Sequence, residues 1–168
     1  ITLPDGSVKD VPKGTTPADI ARSISPRLAD AALVARISRP APGKAAMEKD
    51  GEGELIDLRR PLESDVKLQI LTEKDPAALF VFRHSAAHLL AAAVMELYPN
   101  VKLGVGPPID TGFFYEFLRD APFTQDDLAK IEKKMHELAA QDLPNERKLL
   151  PKPEALALYK TPTQHFRC

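Results

Sequence analysis

Residues 77 to 97, AALFVFRHSAAHLLAAAVMEL, are alanine, leucine, phenylalanine and valine on nearly every face, with Arg83, His84, Ser85, His88 and Glu96 as polar exceptions. A helix that is apolar all round must be covered by other chain, so this stretch is expected to be mostly buried and to form the centre of a packed domain. The 168 residues, 43% hydrophobic and 28% charged, suffice for one large or two small domains. No run near the roughly 18 apolar residues of a membrane span and no basic-then-apolar leader are expected, hence a soluble, cytoplasmic protein without a membrane partner. Cys168, the single cysteine, has no internal disulfide partner, which makes the fold depend on its core and suggests a reducing compartment. Net charge is -1, and both halves are close to neutral. A chain that gripped nucleic acid mainly through phosphates would carry a basic face, so RNA binding has to be local or shared with another domain.

Before the apolar stretch the pattern is that of a small α+β domain. "ITLPDGSVKDV" places apolar residues on either side of Asp5-Gly6 and predicts a β-hairpin. Thr16 as N-cap, Pro17 at the first helical position and Asp19 at the positive end of the dipole predict a helix that turns Ile20 and Ile24 inward and ends at Ser25-Pro26. "ALVARI" (32 to 37) and "VKLQIL" (66 to 71) read as strands. Between them, 38 to 54 is rich in proline, glycine and charge without apolar period, and is read as an exposed insertion. The polar 72–76 segment, closed by a helix-opening proline, sets the boundary between domains at 1–72 and 76–168. In the second domain, 100 to 117 predicts a strand, a Gly106-Pro107-Pro108 turn and an aromatic strand. Thr124 caps a further helix with Leu128, Ile131, Met135 and Leu138 as its apolar stripe. "EALALYK" is one short helical piece in a proline-rich tail.

Two places can carry chemistry. His84 and His88 are four apart, so on a helix their Cβ atoms lie about 6 Å from one another on one face and can converge on one metal ion or one water. They can equally be structural histidines, although imidazoles in an apolar helix each need a partner. In "GVGPPIDTGFFYEF", Gly106 and Pro107 form a rigid turn whose backbone can approach a ligand, and Tyr115 offers a ring and a hydroxyl; a hairpin with core aromatics fits the same letters. Nothing matches G-x-x-x-x-G-K-S/T, G-x-G-x-x-G or G-x-S-x-G, which leaves nucleotide hydrolysis and serine-hydrolase chemistry without support. Ser85 points about 100° away from each neighbouring histidine and makes a poor nucleophile. His136 lies among charges and reads as solvated. His165 and Cys168 would suit zinc, completing four ligands with His84 and His88.

"RHSAAHLL" followed by "GVGPPIDTGFFYEF" resembles the start of the editing domain of the threonyl-tRNA synthetase family, whose motifs run close to R-H-S-x-A-H-L-L and G-P-x-I-D-x-G-F-Y-Y-D-F. The first 72 residues, with "ITLPDGS" and "VKLQILT", are similar to the TGS domain that precedes it, a ubiquitin-like β-grasp fold, and "FTQDDLAKIEKKMHELAAQDLP" continues the family pattern. The likeness covers about residues 1 to 160 apart from the insertion. It implies an α+β chain made of a TGS domain and an editing, or second additional, domain.

The resemblance also implies a proofreading aminoacyl-ester hydrolase within a threonine-tRNA ligase, acting in translation fidelity on serine wrongly esterified to threonine tRNA. Serine lacks one methyl of threonine, worth roughly 1 to 3 kcal/mol of discrimination, so a synthetic site cannot exclude it, whereas a second, smaller hydrolytic site excludes threonine by size. By position, His84 and His88 match the paired editing histidines, Tyr115 the tyrosine lining the pocket, and Gly106 and Pro107 the turn beside it. The wider family adds a C-x-x-x-H element, from which this sequence departs because Cys168 has nothing after it: either the chain stops inside that element or the stretch after Lys160 is a junction, and the editing domain is expected to be incomplete at its C-terminal end. Zinc at His84, His88 and Cys168 is the metal this would admit. ATP and magnesium are expected only for an aminoacylation domain outside this sequence. The implied partner is the acceptor end of threonine tRNA carrying serine, and the full-length synthetase is expected to be a homodimer. The alternatives are a free-standing alanyl-tRNA-type deacylase, against which the N-terminal domain and "GPPIDTGFFYEF" argue, and a non-catalytic RNA- or partner-binding module, which would leave the paired histidines unexplained.

Overall fold

The computed structural model describes residues 1–38, 53–143 and 148–159. The chain divides into two compact units, Ile1–Phe82 and Arg83–Cys168, and is α+β throughout.

The first unit is a sheet with a helix against it. Strand β1 (Ala32–Ser38) lies between β2 (Glu54–Ile56) and β3 (Lys67–Thr72), antiparallel to both. The N-terminal segment joins alongside β3 in parallel: Thr2 N–H donates to the Val66 carbonyl and Leu68 N–H to the Thr2 carbonyl. The predicted opening hairpin is present: Thr2 bridges Val8 antiparallel, Leu3 N–H donates to the Ser7 carbonyl, Lys9 N–H to the Ile1 carbonyl and the Ile1 amino group to the Lys9 carbonyl, with Gly6 at φ +82 in the turn. Helix α1 (Pro17–Ile24) starts at a complete capping box, in which the Thr16 hydroxyl accepts from Asp19 N–H and the Asp19 carboxylate accepts from Thr16 N–H. It buries Ile20 against Ala35, Ile37, Ile56 and Leu68. Ile24, expected to face inward, is 46% exposed, because the helix ends there. Ser25 then caps a short helix, α2 (Pro26–Ala31), where the sequence pattern predicts only a helix end. Most of the proposed insertion, 39 to 52, lies outside the described residues. Its end does not behave as a loop: Glu54–Ile56 pairs as β2.

Helix α3 (Pro76–Leu97) begins where the composition changes. Asp75 caps it, accepting Ala77 N–H at 2.8 Å on its carboxylate and Leu79 N–H at 3.0 Å on its carbonyl, and Arg36 of β1 faces the same carboxylate at 3.6 Å. Ala78 packs on Val34 and Leu71, which is why the first turns of α3 belong with the sheet and the units divide inside the helix. By length and composition α3 could span a membrane, with mean hydropathy 1.5 in its best window. This corrects the expectation that no segment comes near that length, although a core helix passes the same test. Nor is α3 uniformly buried: Ala87, Ala91, Ala93 and Val94 are inside, while Phe80 and Phe82 are more than half exposed.

In the second unit, two short antiparallel pairs are nested: β4 (Lys102–Leu103) with β7 (Phe117–Leu118) outside, β5 (Pro108–Ile109) with β6 (Gly112–Phe113) inside. Helix α4 (Gln125–Ala140) starts at a second capping box, Thr124 with Asp127. Ile131 is buried against Ala93 and Val94, with Met135 and Leu138 beside it. Leu128, placed in the stripe by spacing, is 51% exposed. Asp127 is buried in that turn instead, held by the Tyr98 hydroxyl at 2.8 Å, Arg119 at 3.1 Å and Thr124 N–H at 3.0 Å. Helix α5 (Lys152–Tyr159) is the short piece expected in the tail.

Candidate functional site

His84 and His88 stand one turn apart on α3 with ring centroids 4.7 Å apart and planes inclined by 22°, so the helical spacing does bring them together. His84 is exposed and His88 half buried. Burial holds the His88 pKa below the ordinary histidine value, and the neighbouring His84 charge lowers it further. At neutral pH His88 is therefore an unprotonated imidazole. Ser85 is exposed beside them, and His136 is exposed on α4 as expected.

The loop after β4 brings Gly106 and Tyr115 into contact. A side-chain carbon at position 106 would overlap Tyr115 Cδ2 and Cε2, so the ring occupies the space that glycine leaves. Phe117 stacks on Tyr115 at 5.0 Å and meets Phe123 edge-on at 5.8 Å. Phe123 in turn meets Tyr98, and the Arg119 guanidinium covers both, 4.4 Å from Tyr98 and 4.9 Å from Phe123. Tyr115 is thus the outer end of a row of rings rooted in the core. Pro107 is exposed beside Gly106. A missed contact joins the loop to the histidine helix: Arg83 Nη1 donates to the Ile109 carbonyl at 3.3 Å. Its only sequence signal was a lone cation inside an apolar helix.

Cys168 and His165 lie outside the described residues. Among the described residues no group of three His, Cys, Asp or Glu is placed to hold a metal. The described donors therefore do not complete a zinc site. A concavity in the first unit, between Val11–Lys13 and Leu62–Asp65, is crossed by the Lys13–Glu63 ion pair at 3.4 Å and contains none of these residues.

Comparison with known proteins bears on both units. Residues 1–72 match the TGS domain family. The chain is 49% identical to a threonine–tRNA ligase of Acidobacterium capsulatum over 95% of its length. It is 42% identical to that of Hyphomonas neptunium and 44% to that of Pelobacter propionicus, each over 99%. The chain carries a TGS domain and matches the N-terminal region of threonine–tRNA ligases. It spans about a quarter of the relatives it matches, 26%, 23% and 24% respectively. The sheet and helix of the first unit are accordingly the ubiquitin-like β-grasp of a TGS domain, and the histidine pair and Tyr115 lie in the part of the match beyond it.

Proposed function

We propose that this chain is the proofreading region of a threonine–tRNA ligase, hydrolysing serine mis-esterified to threonine tRNA in the cytoplasm. The observation that carries the reading is the stacked His84–His88 pair on one helix face, with His88 kept neutral by burial. A neutral imidazole accepts the proton of a water as its oxygen attacks the ester carbonyl. The ester C–O bond then breaks, and the imidazolium returns the proton to the departing ribose hydroxyl, giving free serine and uncharged tRNA. The second histidine orients the water. Tyr115, fixed against Gly106, walls the place where the side chain of the amino acid rests, and threonine is rejected by its extra methyl. The relatives, named as threonine–tRNA ligases, support a tRNA partner and a role in translation; a homodimeric ligase with its ATP and magnesium sites elsewhere is what the family resemblance adds to the proposal.

The test is a time course of serine release from threonine tRNA charged with serine, with correctly charged tRNA as control, for this chain and for the full-length ligase. Selective release that His84→Ala lowers on the order of 100-fold or more, with the helical circular dichroism unchanged, supports a hydrolase. Equal release by the variant, or binding without release by the full-length protein, leaves a tRNA-binding module instead.

A further inference from the structure

We propose that Arg83 is a positioning residue, tying the tip of the β5–β6 hairpin to the helix that carries the histidine pair and so setting where the aminoacyl ester comes to rest. The inference deepens the hydrolase reading and rests on it. Arg83 is the one lysine or arginine among the 22 residues of α3. A cation in so apolar a helix needs an acceptor, and it reaches across 26 residues of sequence to the Ile109 carbonyl at 3.3 Å.

That carbonyl belongs to the last residue before the Asp110-Thr111 turn, since Ile109 pairs with Gly112. Strands β5 and β6 have two residues each, too short a ladder to hold a hairpin in place alone. A charge-assisted hydrogen bond from outside the ladder is therefore a large part of what fixes the tip. The same loop holds Gly106 before the hairpin and Tyr115 after it, in mutual contact. Consecutive helical residues project about 100° apart, so Arg83 can hold the loop while His84, exposed, stays turned elsewhere.

The experiment compares full-length wild type with Arg83→Met, which keeps the apolar stem and removes every donor, and Arg83→Lys, which restores a donor. Amide hydrogen exchange of the 109–114 segment and single-turnover serine release from threonine tRNA charged with serine are read together with tRNA affinity. The expected result for Arg83→Met is faster exchange in that segment alone. Release should slow about ten- to a hundredfold, as for other sub-ångström to ångström misplacements, with tRNA affinity unchanged. Arg83→Lys should recover part of both. Wild-type exchange and rate in Arg83→Met overturn the proposal. So does lost tRNA affinity at an unchanged rate, which would make Arg83 a phosphate contact. If the wild type itself releases no serine, the hydrolase reading falls together with this one; an active wild type matched by Arg83→Met sinks this one alone.

Discussion

Gly106 has no room for a side chain, because Tyr115 Cδ2 and Cε2 occupy the place where one would begin. Gly106→Ala must push the ring outward or move the turn, and an ångström of misplacement at a reacting group costs on the order of 100-fold. We expect serine release to fall by about that factor while the thermal midpoint changes little, since the turn is exposed on both sides. Rate and melting curve, measured on one preparation, check this. His88 gives a prediction of opposite kind. Its folded pKa is lowered, by burial first and by His84 second, so the neutral base persists below the ordinary histidine value of about 6.5. The acid limb of the single-turnover rate should have its midpoint below that value, and a His84→Gln variant should move the midpoint up by removing a like charge. A midpoint above 6.5 would mean that His88 is not the base. These residues were visible in the sequence because glycine, proline and histidine are unusual where they stand. The close fit of ring on glycine was not, since it depends on the distance across a folded loop.

Helix starts were the most legible elements. Thr16 with Asp19 and Thr124 with Asp127 are local signals, settled within four residues, and both form complete capping boxes. Removing the second cap by Thr124→Ala should cost about 1 kcal/mol, read as a shift in urea midpoint. What spacing alone could not supply was which residue of a turn goes inside. Leu128 was expected there and Asp127 is found there, because a carboxylate with several donors can be buried while leucine at the helix start stays out. The Thr124 backbone N–H, then the Tyr98 hydroxyl and Arg119, hold the Asp127 carboxyl well below its usual range. Its contribution is therefore present above about pH 4 and is lost as pH falls toward the folded value, where the unfolded chain binds the proton first. Asp127→Asn should destabilise at pH 7, and the gap to wild type should close as denaturation is repeated below pH 4. Helix α2 and strand β2 were missed for a related reason: six and three residues carry too little period, and each exists through its neighbours, Ser25 capping and β1 pairing.

At the scale of the whole chain, the near-neutral charge constrains how tRNA would be held under the proposed function. Many of the cations already have acidic partners: Arg22 with Asp19, Arg36 with Asp75, Arg60 with Glu54, Arg119 with Asp127, and Lys134 with both Glu96 and Glu137. A guanidinium facing a carboxylate has less to offer a phosphate, and counterion release scales with the number of phosphates neutralised. The chain covers 23–26% of the threonine–tRNA ligases it matches, so under the proposed function the electrostatic grip on tRNA is expected to lie mostly outside these residues. Binding of threonine tRNA to this chain alone should therefore show a shallow salt dependence, with log K against log salt falling no more steeply than about two or three phosphates' worth, and the full-length ligase a steeper one. Fluorescence anisotropy between 50 and about 200 mM salt measures both slopes. A slope near six phosphates for the chain alone would reveal a basic face built by folding from a neutral sequence. It would also make the first unit a candidate tRNA contact, because Lys9, Arg27 and Lys67 lie there. A shallow slope would instead fit the proposed function as a question of delivery, in which the rest of a ligase would hold the tRNA and this chain would meet only the ester it carries.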